Sequence, residues 1–330
     1  MTRRHLLALI AAAPACSPRR PATETVLRVG VAQSAHSVAP LFLADEMGFF
    51  RQEGIRIEVD RTSFTGLHIS ALAAGKLDVA MVAMSPALVN SAAQGAPIRL
   101  VASRKYLGGD CGAWGQFYSN LSAFPGGLKD FHELIGKRIA YSTPGSLTDF
   151  ALDAVLDSAC ISRDRVKAVA VRRQESVAAL LTGNLDAVIN VPSLAEIPEA
   201  RRTHFGYLRG ADTVYPKLQT SFTAFGGRLL TTERETGLRF LRAFRRGSEA
   251  FFAGTNPVFM RRWAFEQGAD PDTPVQVCPH EVDSDGAVDP ESVRLYLDWA
   301  ARRKHVATAI EPGKLIDSTL IADLNRGAIK

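Results

Sequence analysis

The chain has 330 residues, of which 46% are hydrophobic and 22% charged, and a formal net charge of +5. That length exceeds what one hydrophobic core usually organises, so two lobes are expected. The cations are scattered and not interleaved with aromatic residues, which argues against nucleic-acid binding, and no stretch after the N-terminus is apolar enough to span a bilayer.

The first residues, MTRRHLLALIAAAPAC, carry Arg3 and Arg4, then an apolar run from Leu6 to Ala13, then small residues before Cys16. This is the layout of an export signal over residues 1–15, with a run too short to cross a membrane. TRRHLL resembles a twin-arginine signal. Ala13 and Ala15 suit an A-x-A cleavage site, whereas Cys16 suits a lipidated first mature residue, and both stay open. Residues 16–25, which include SPRRPATET, read as a polar tether. Cys111, Cys160 and Cys278 form no C-x-x-C, so one disulfide and buried free thiols are equally compatible outside the cytosol.

Val26 to Gln33 alternates and is β-branched, predicting a strand. VAPLFLADEMGFFRQEG follows as a helix, with Leu41, Leu43, Ala44, Met47 and Phe50 at helical spacing and Gly54 as its stop. IRIEVDR is the second strand, Thr65 to Ala74 a helix, DVAMVAM the third strand, Pro86 to Ala93 a helix and IRLVAS the fourth strand. Such alternation with short loops predicts a parallel sheet covered by helices on both faces. After Ser103 the pattern breaks, then resumes from LKDFHELIGKRIAYSTPGSLTDFAL through VKAVAV to DAVINV. YPKLQTSFTAFGG reads as a return crossing. From Thr232 the chain is mostly helical, through ERETGLRFLRAFRRGSEAFFAG and NPVFMRRWAFEQG to DPESVRLYLDWAARR, with Asp289 as N-cap and Pro290 at the first helical position.

One phrase occurs twice. ISALAAGKLDVAMV, from Ile69, and VAALLTGNLDAVIN, from Val177, share Ala71 with Ala179, Leu72 with Leu180, Gly75 with Gly183, Leu77 with Leu185 and Asp78 with Asp186. Each copy is a helix, a capping glycine and a strand entering a sheet. Two copies therefore mean two α/β lobes, and ligands of open parallel sheets lie beyond the carboxyl ends of the strands. Two such lobes face to face enclose a cleft.

APLFLADEMGFFRQEGIRIEV resembles the opening of the periplasmic solute-binding proteins of ABC importers that serve sulfonates, taurine, nitrate and thiamine-pyrimidine precursors. The likeness continues through AAGKLDVAMV, LKDFHELIGKRIAYSTPGSLTDFAL, LLTGNLDAVINVPS and LIDSTLIADL, in order and over nearly the whole mature chain. It implies a type II periplasmic binding fold, two α/β lobes on a two-strand hinge, closing on a small solute and docking to a permease with its ATPase. The yeast thiamine-pyrimidine synthases share the fold and are enzymes, but their cysteine-rich motif has no counterpart here.

Candidate ligand residues follow from the strand ends. Thr143, Gly145, Ser146, Thr148 and Asp149 stand where a strand hands over to a helix, a terminus that attracts polar or anionic groups. Plain N-capping by Ser146, Thr148 or Asp149 explains the same residues. Across the cleft stand Gln33, Ser34 and Ser37 after the first strand, Phe64 and Thr65 after the second, and Met84 and Ser85 after the third, with Asn190 ending the strand of the second echo. His36 is a candidate titrating group. Arg104 and Lys105 tilt the ligand toward an anionic, sulfonate-like compound, with a neutral heterocycle as the alternative. Trp114, Phe117 and Tyr118 either line the cleft or pack beneath it, and packing is favoured for Phe117.

No phosphate-binding loop, G-x-S-x-G or H-E-x-x-H is present, the histidines lack ligand spacing, and DSDGAVDPE lacks the spacing of a calcium loop. No catalytic residue, cofactor or metal is expected, although an exported enzyme on the same scaffold stays the rival. The expected layout is lobe 1 over residues 26–103 and 225–330, lobe 2 over 104–218 and a return hinge over 219–224. The molecule is expected to be a monomer outside the cytoplasm, meeting the membrane only through an anchor at Cys16.

Overall fold

The computed structural model describes residues 24–32, 35–62, 65–106, 115–190, 205–255, 258, 261–262 and 286–327. Strand β1 (Thr25–Ala32) buries Leu27, Val29 and Val31 completely, as its alternation requires. Helices α1 (Ala35–Glu46) and α2 (Phe49–Gln52) follow. The apolar spacing predicts one helix here. The chain instead breaks at Gly48, whose φ of 72° no continuing helix adopts, and Met47 is left exposed.

Strands β2 (Ile55–Thr62), β3 (Val79–Ala83) and β4 (Arg99–Tyr106) alternate with α3 (Thr65–Ala73) and α4 (Pro86–Ala93). The chain then enters the second lobe through β5 (Gln116–Asn120), β6 (Arg138–Tyr141), α5 (Leu147–Ser158), β7 (Lys167–Ala170), α6 (Arg173–Leu181), β8 (Ala187–Asn190), β9 (Phe205–Leu208) and α7 (Ala211–Val214). It returns along β10 (Gln219–Phe225) and continues as α8 (Gly227–Leu230), α9 (Arg234–Phe252), α10 (Pro290–Arg302) and α11 (Thr319–Gly327).

Two five-stranded sheets result, ordered β2-β1-β3-β10-β4 and β7-β6-β8-β5-β9. They follow one plan. In each, the first strand of the βαβ series lies between the next two and parallel to both. The fourth place is taken by a strand arriving from the other lobe, β10 in the first sheet and β5 in the second, antiparallel to both neighbours. This corrects the expectation of parallel sheets. A strand that enters from the cleft must run away from it, whereas the βαβ strands run toward it. The echo maps as foreseen onto α3 with β3 and α6 with β8. Gly75 and Gly183 end the two helices in the left-handed region, at φ 68° and 72°.

The apolar interior falls into three clusters. One packs Leu27, Leu41, Phe50, Phe240 and Leu320 between the first sheet and α1, α9 and α11. A second, with Tyr118, Leu180 and Val188, fills the far side of the second sheet. The third is continuous from one lobe to the other, running from Leu72 and Leu88 through Val293 and Trp299 of α10 to Phe150 and Ile139. Of the cysteines, Cys160 is described, and it is exposed and free rather than a buried thiol. Most of NPVFMRRWAFEQG lies outside the described residues, as do Cys16, Cys111 and Cys278. No helix among the described residues is long and apolar enough to cross a membrane.

Candidate functional site

The cleft ends of the two sheets meet. The loop leaving β6 presses on the start of α4, so closely that a Cβ on Gly145 would stand 2.4 Å from Pro86 Cγ. Gly145 has a φ of 76°, a conformation for which glycine is the natural residue.

Around this loop the hydroxyls converge. Ser142 Oγ donates to Ser146 Oγ at 3.0 Å and lies 2.7 Å from Thr148 Oγ1, which is 3.0 Å from Ser146 Oγ. The Ser142 N–H donates to Thr148 Oγ1 at 2.8 Å, and the Thr143 N–H reaches Ser146 Oγ at 3.4 Å. Ser146 is the N-cap of α5, accepting the Asp149 N–H at 3.3 Å. The half-buried hydroxyls of Ser142 and Ser146 thus sit at the positive end of a twelve-residue helix, where oxygen-rich or anionic groups are favoured.

Asp149 is only 2% exposed and serves the loop from beneath. Its Oδ2 accepts the Gly145 N–H at 2.9 Å, and its Oδ1 pairs with Arg163 at 2.6 Å. Arg163 also reaches Asp153, one turn along α5, and lies over the Tyr141 ring at 5.0 Å. Burial disfavours the Arg163 cation, but the hydrogen bonds and charges of Asp153 and Asp149 offset this and raise its pKa. Burial, then the charge of Asp149, raises the Tyr141 phenol.

The C-terminal segment closes over the same carboxylates. Tyr296 donates to the Gly145 carbonyl at 2.5 Å, and burial with the Asp149 charge pushes its phenol upward. Trp299 Nε1 donates to Asp153 at 2.8 Å, and Arg303 pairs with Asp153 at 3.0 Å. His305 Nε2 lies 3.3 Å from Asp149 Oδ2 without hydrogen-bond alignment. Phe150 packs on Trp299 and Tyr296, and stacks on Tyr215 at 5.9 Å.

The other candidates spread around the cleft rim. Met84 is buried directly after β3, and Ser85 caps α4 by accepting the Leu88 N–H at 3.4 Å. Ser37 and His36 fall in α1, Thr65 opens α3, Asn190 ends β8, and Arg104 and Lys105 lie near the end of β4. Gln33, Ser34, Phe64 and Trp114 lie outside the described residues. Phe117 and Tyr118 are packed inside β5, with the Tyr118 phenol on Gln116 at 3.0 Å. Sequence reasoning missed Arg163, Tyr296, Trp299, Arg303 and His305. The available signal was the four-residue spacing of Asp149 and Asp153, which sets two carboxylates on the buried face of one helix and demands partners. Among the described residues no group of His, Cys, Asp and Glu is arranged to hold a metal.

A comparison with curated proteins finds a Haemophilus influenzae protein named for thiamine biosynthesis, 31% identical over 151 residues. The match takes in 46% of this chain, which thus spans 45% of that relative's length. Among solved structures, a ligand-binding component of an ABC-type import system of Staphylococcus aureus matches with a TM-score of 0.69 at 14% identity, over 92% of this chain and 99% of its own. The alkanesulfonate-binding protein SsuA of Xanthomonas axonopodis pv. citri, bound to MOPS, matches at 0.68 and 17% identity, over 90% and 99%. The desulfurization enzyme DSZB shares the fold at 0.63 and 13% identity, over 92% and 99%. These likenesses fix the architecture as a periplasmic-binding-protein fold of two α/β lobes. The family model described as NMT1/THI5 like matches residues 35–257, and the chain belongs to that family.

Proposed function

We propose that this protein captures a small organic solute between its lobes and delivers it to an ABC permease and its ATPase. One observation carries this. Two sheets of one plan turn their strand ends toward each other and meet at Gly145 and Pro86. A ligand held by both ends favours the closed arrangement by its differential affinity, which is what a capture protein needs. The import and sulfonate-binding roles of the structural relatives support the same assignment.

The Ser142, Ser146 and Thr148 hydroxyls form the floor on the side of the second lobe, with Thr143 and Gly145 at its lip. Gln33, Ser34, Ser37, Phe64, Thr65, Met84, Ser85 and Asn190 supply the remaining contacts. Asp149 acts through the Gly145 peptide that it holds. A micromolar ligand gains roughly 8 kcal/mol, within reach of several hydrogen bonds and one stacked ring. An anionic, sulfonate-like compound is the first choice, and a heterocycle related to thiamine pyrimidines the second. Residues 1–15 direct export, and Cys16 either follows the cleavage site or carries a lipid.

A thermal-shift screen over sulfonates, nitrate, pyrimidines and flavins tests this, followed by titration calorimetry on any hit. Binding that weakens at least tenfold in a Ser146→Ala, Asn190→Ala double variant supports the site. Unchanged binding removes it. An enzyme on this fold is the second possibility, favoured by the likeness to DSZB. Mass spectrometry of the bound compound after hours of incubation separates the two, because a carrier returns it intact.

A further inference from the structure

The C-terminal segment crosses between lobes twice, and this has a mechanical meaning. Residues 286–317 are fastened at both ends to the first sheet. At the start, the Ser103 N–H donates to the Gly286 carbonyl at 2.9 Å, and the Gln219 side chain bonds Ala287 and Asp289 at 3.0 and 2.8 Å. At the end, Leu100 donates to Leu315 at 2.7 Å, Asp317 donates back to Leu100 at 3.0 Å, and Leu100 and Ile316 form a parallel bridge. Between these anchors the Ala307 N–H also bonds Asn90 of α4 at 3.1 Å.

The middle of the segment grips the other lobe instead. Tyr296, Trp299, Arg303 and His305 reach Gly145, Asp153 and Asp149, all on α5 or the loop before it. Val293 and Tyr296 near its start are buried, Tyr296 with its phenol on the Gly145 carbonyl. Trp299 is also buried, whereas Arg303, just past the end of α10, is 41% exposed. Buried packing holds the start of the segment, whereas the Arg303 pair with Asp153 at its exposed end is made or lost as the lobes close or part.

We propose that residues 286–317 form a latch. It belongs to the first lobe, seizes α5 when the lobes are together, and releases Asp149 and Asp153 when they part. Because Asp149 and Tyr296 hold opposite sides of Gly145, the latch also sets the shape of the loop beneath the hydroxyl cluster. The proposal rests on the interlobe cleft described above, but its test needs no ligand.

Spin labels at Glu58→Cys on β2 and Lys167→Cys on β7, with the native cysteines replaced by serine, report the lobe separation by electron–electron resonance. The unliganded protein should show a short-distance population that an Arg303→Ala, His305→Ala double variant depletes, with the longer-distance population rising several-fold. Trp299→Phe keeps an aromatic side chain but removes the donor to Asp153 and part of the packing on Phe150, so it should move the same population less and decides the matter if the double variant does not fold. Unchanged distance distributions in folded variants overturn the latch. Failure of the ligand screen with a responsive latch would instead discredit the capture role alone.

Discussion

Arg138 gives Asp186 both its backbone N–H and its guanidinium, at 2.7 Å each, while the same guanidinium reaches the Gly183 carbonyl at 2.7 Å. In the other lobe the Arg28 N–H donates to Asp78 at 2.8 Å and its guanidinium to the Gly75 carbonyl at 2.9 Å. The aspartates return the bond, Asp78 N–H to the Arg28 carbonyl at 2.9 Å and Asp186 N–H to the Arg138 carbonyl at 3.0 Å. The twice-written phrase therefore encodes one rivet, joining helix end, third strand and first strand in each lobe.

Asp78 is 4% exposed and also meets Arg228 at 3.0 Å, so Asp78→Asn should cost about 2 kcal/mol of unfolding free energy in urea titrations, with Asp186→Asn costing less. The hydrogen bonds from Arg138 hold the Asp186 carboxyl below its ordinary value of 3.8. Its stabilisation is complete above that value and is lost as the pH falls through the lowered one. Asp186→Asn should thus flatten the loss of stability below about pH 4, and an unchanged acid limb would refute the pairing.

Gly75 and Gly183 have nothing within 4 Å of a would-be Cβ. Alanine there meets no neighbour and pays only for the left-handed backbone, about 1 kcal/mol at each site. Denaturation of Gly75→Ala and Gly183→Ala should give matching losses, and strongly unequal values would break the equivalence of the two units.

His68 of α3 is 1% exposed, and neither ring nitrogen is hydrogen-bonded among the described residues. Burial holds its pKa below 6.5 against the opposing influence of Asp60. Folding therefore keeps the ring neutral where the unfolded chain protonates it. Its contribution is whole above 6.5 and declines as pH falls toward the lowered value. His68→Leu should raise the melting temperature, and more at pH 5 than at pH 8. Equal gains at both would show that the ring is solvated.

Gly145→Ala forces a side chain into the left-handed region and against Pro86, at a cost of about 1–3 kcal/mol. Pulling the loop from α4 should lower both melting temperature and affinity for any solute found in the screen. A variant as stable and as tight-binding as the parent would mean that the contact is dispensable.

Much of this architecture is written locally. Gly75, Leu77 and Asp78 announce a helix end and a buried strand within four residues, and their recurrence announces the second lobe. Ser146 as a cap and Asp289 with Pro290 as a helix start are equally short-range signals. The antiparallel seat of β10 between β3 and β4 is not local, since Phe222 pairs with Val82 through a register that only the assembled sheet defines. Trp299 and Arg303 likewise read as an ordinary amphipathic helix, because their partners on α5 lie some 150 positions away, as with Trp299 and Asp153 at a separation of 146. Gly48 was visible as a glycine, but its left-handed turn cut short a helix that the apolar spacing alone extends.

The swapped middle strands dictate an order of assembly. Every described strand of the second sheet lies between Gln116 and Leu208, so that sheet can close as soon as this stretch is available. The first sheet has a gap between β3 and β4 until Gln219–Phe225 arrives to fill it. The sheet begun first is consequently finished last, and a nascent chain halted before Phe225 would carry a completed second sheet beside an open-sided first one.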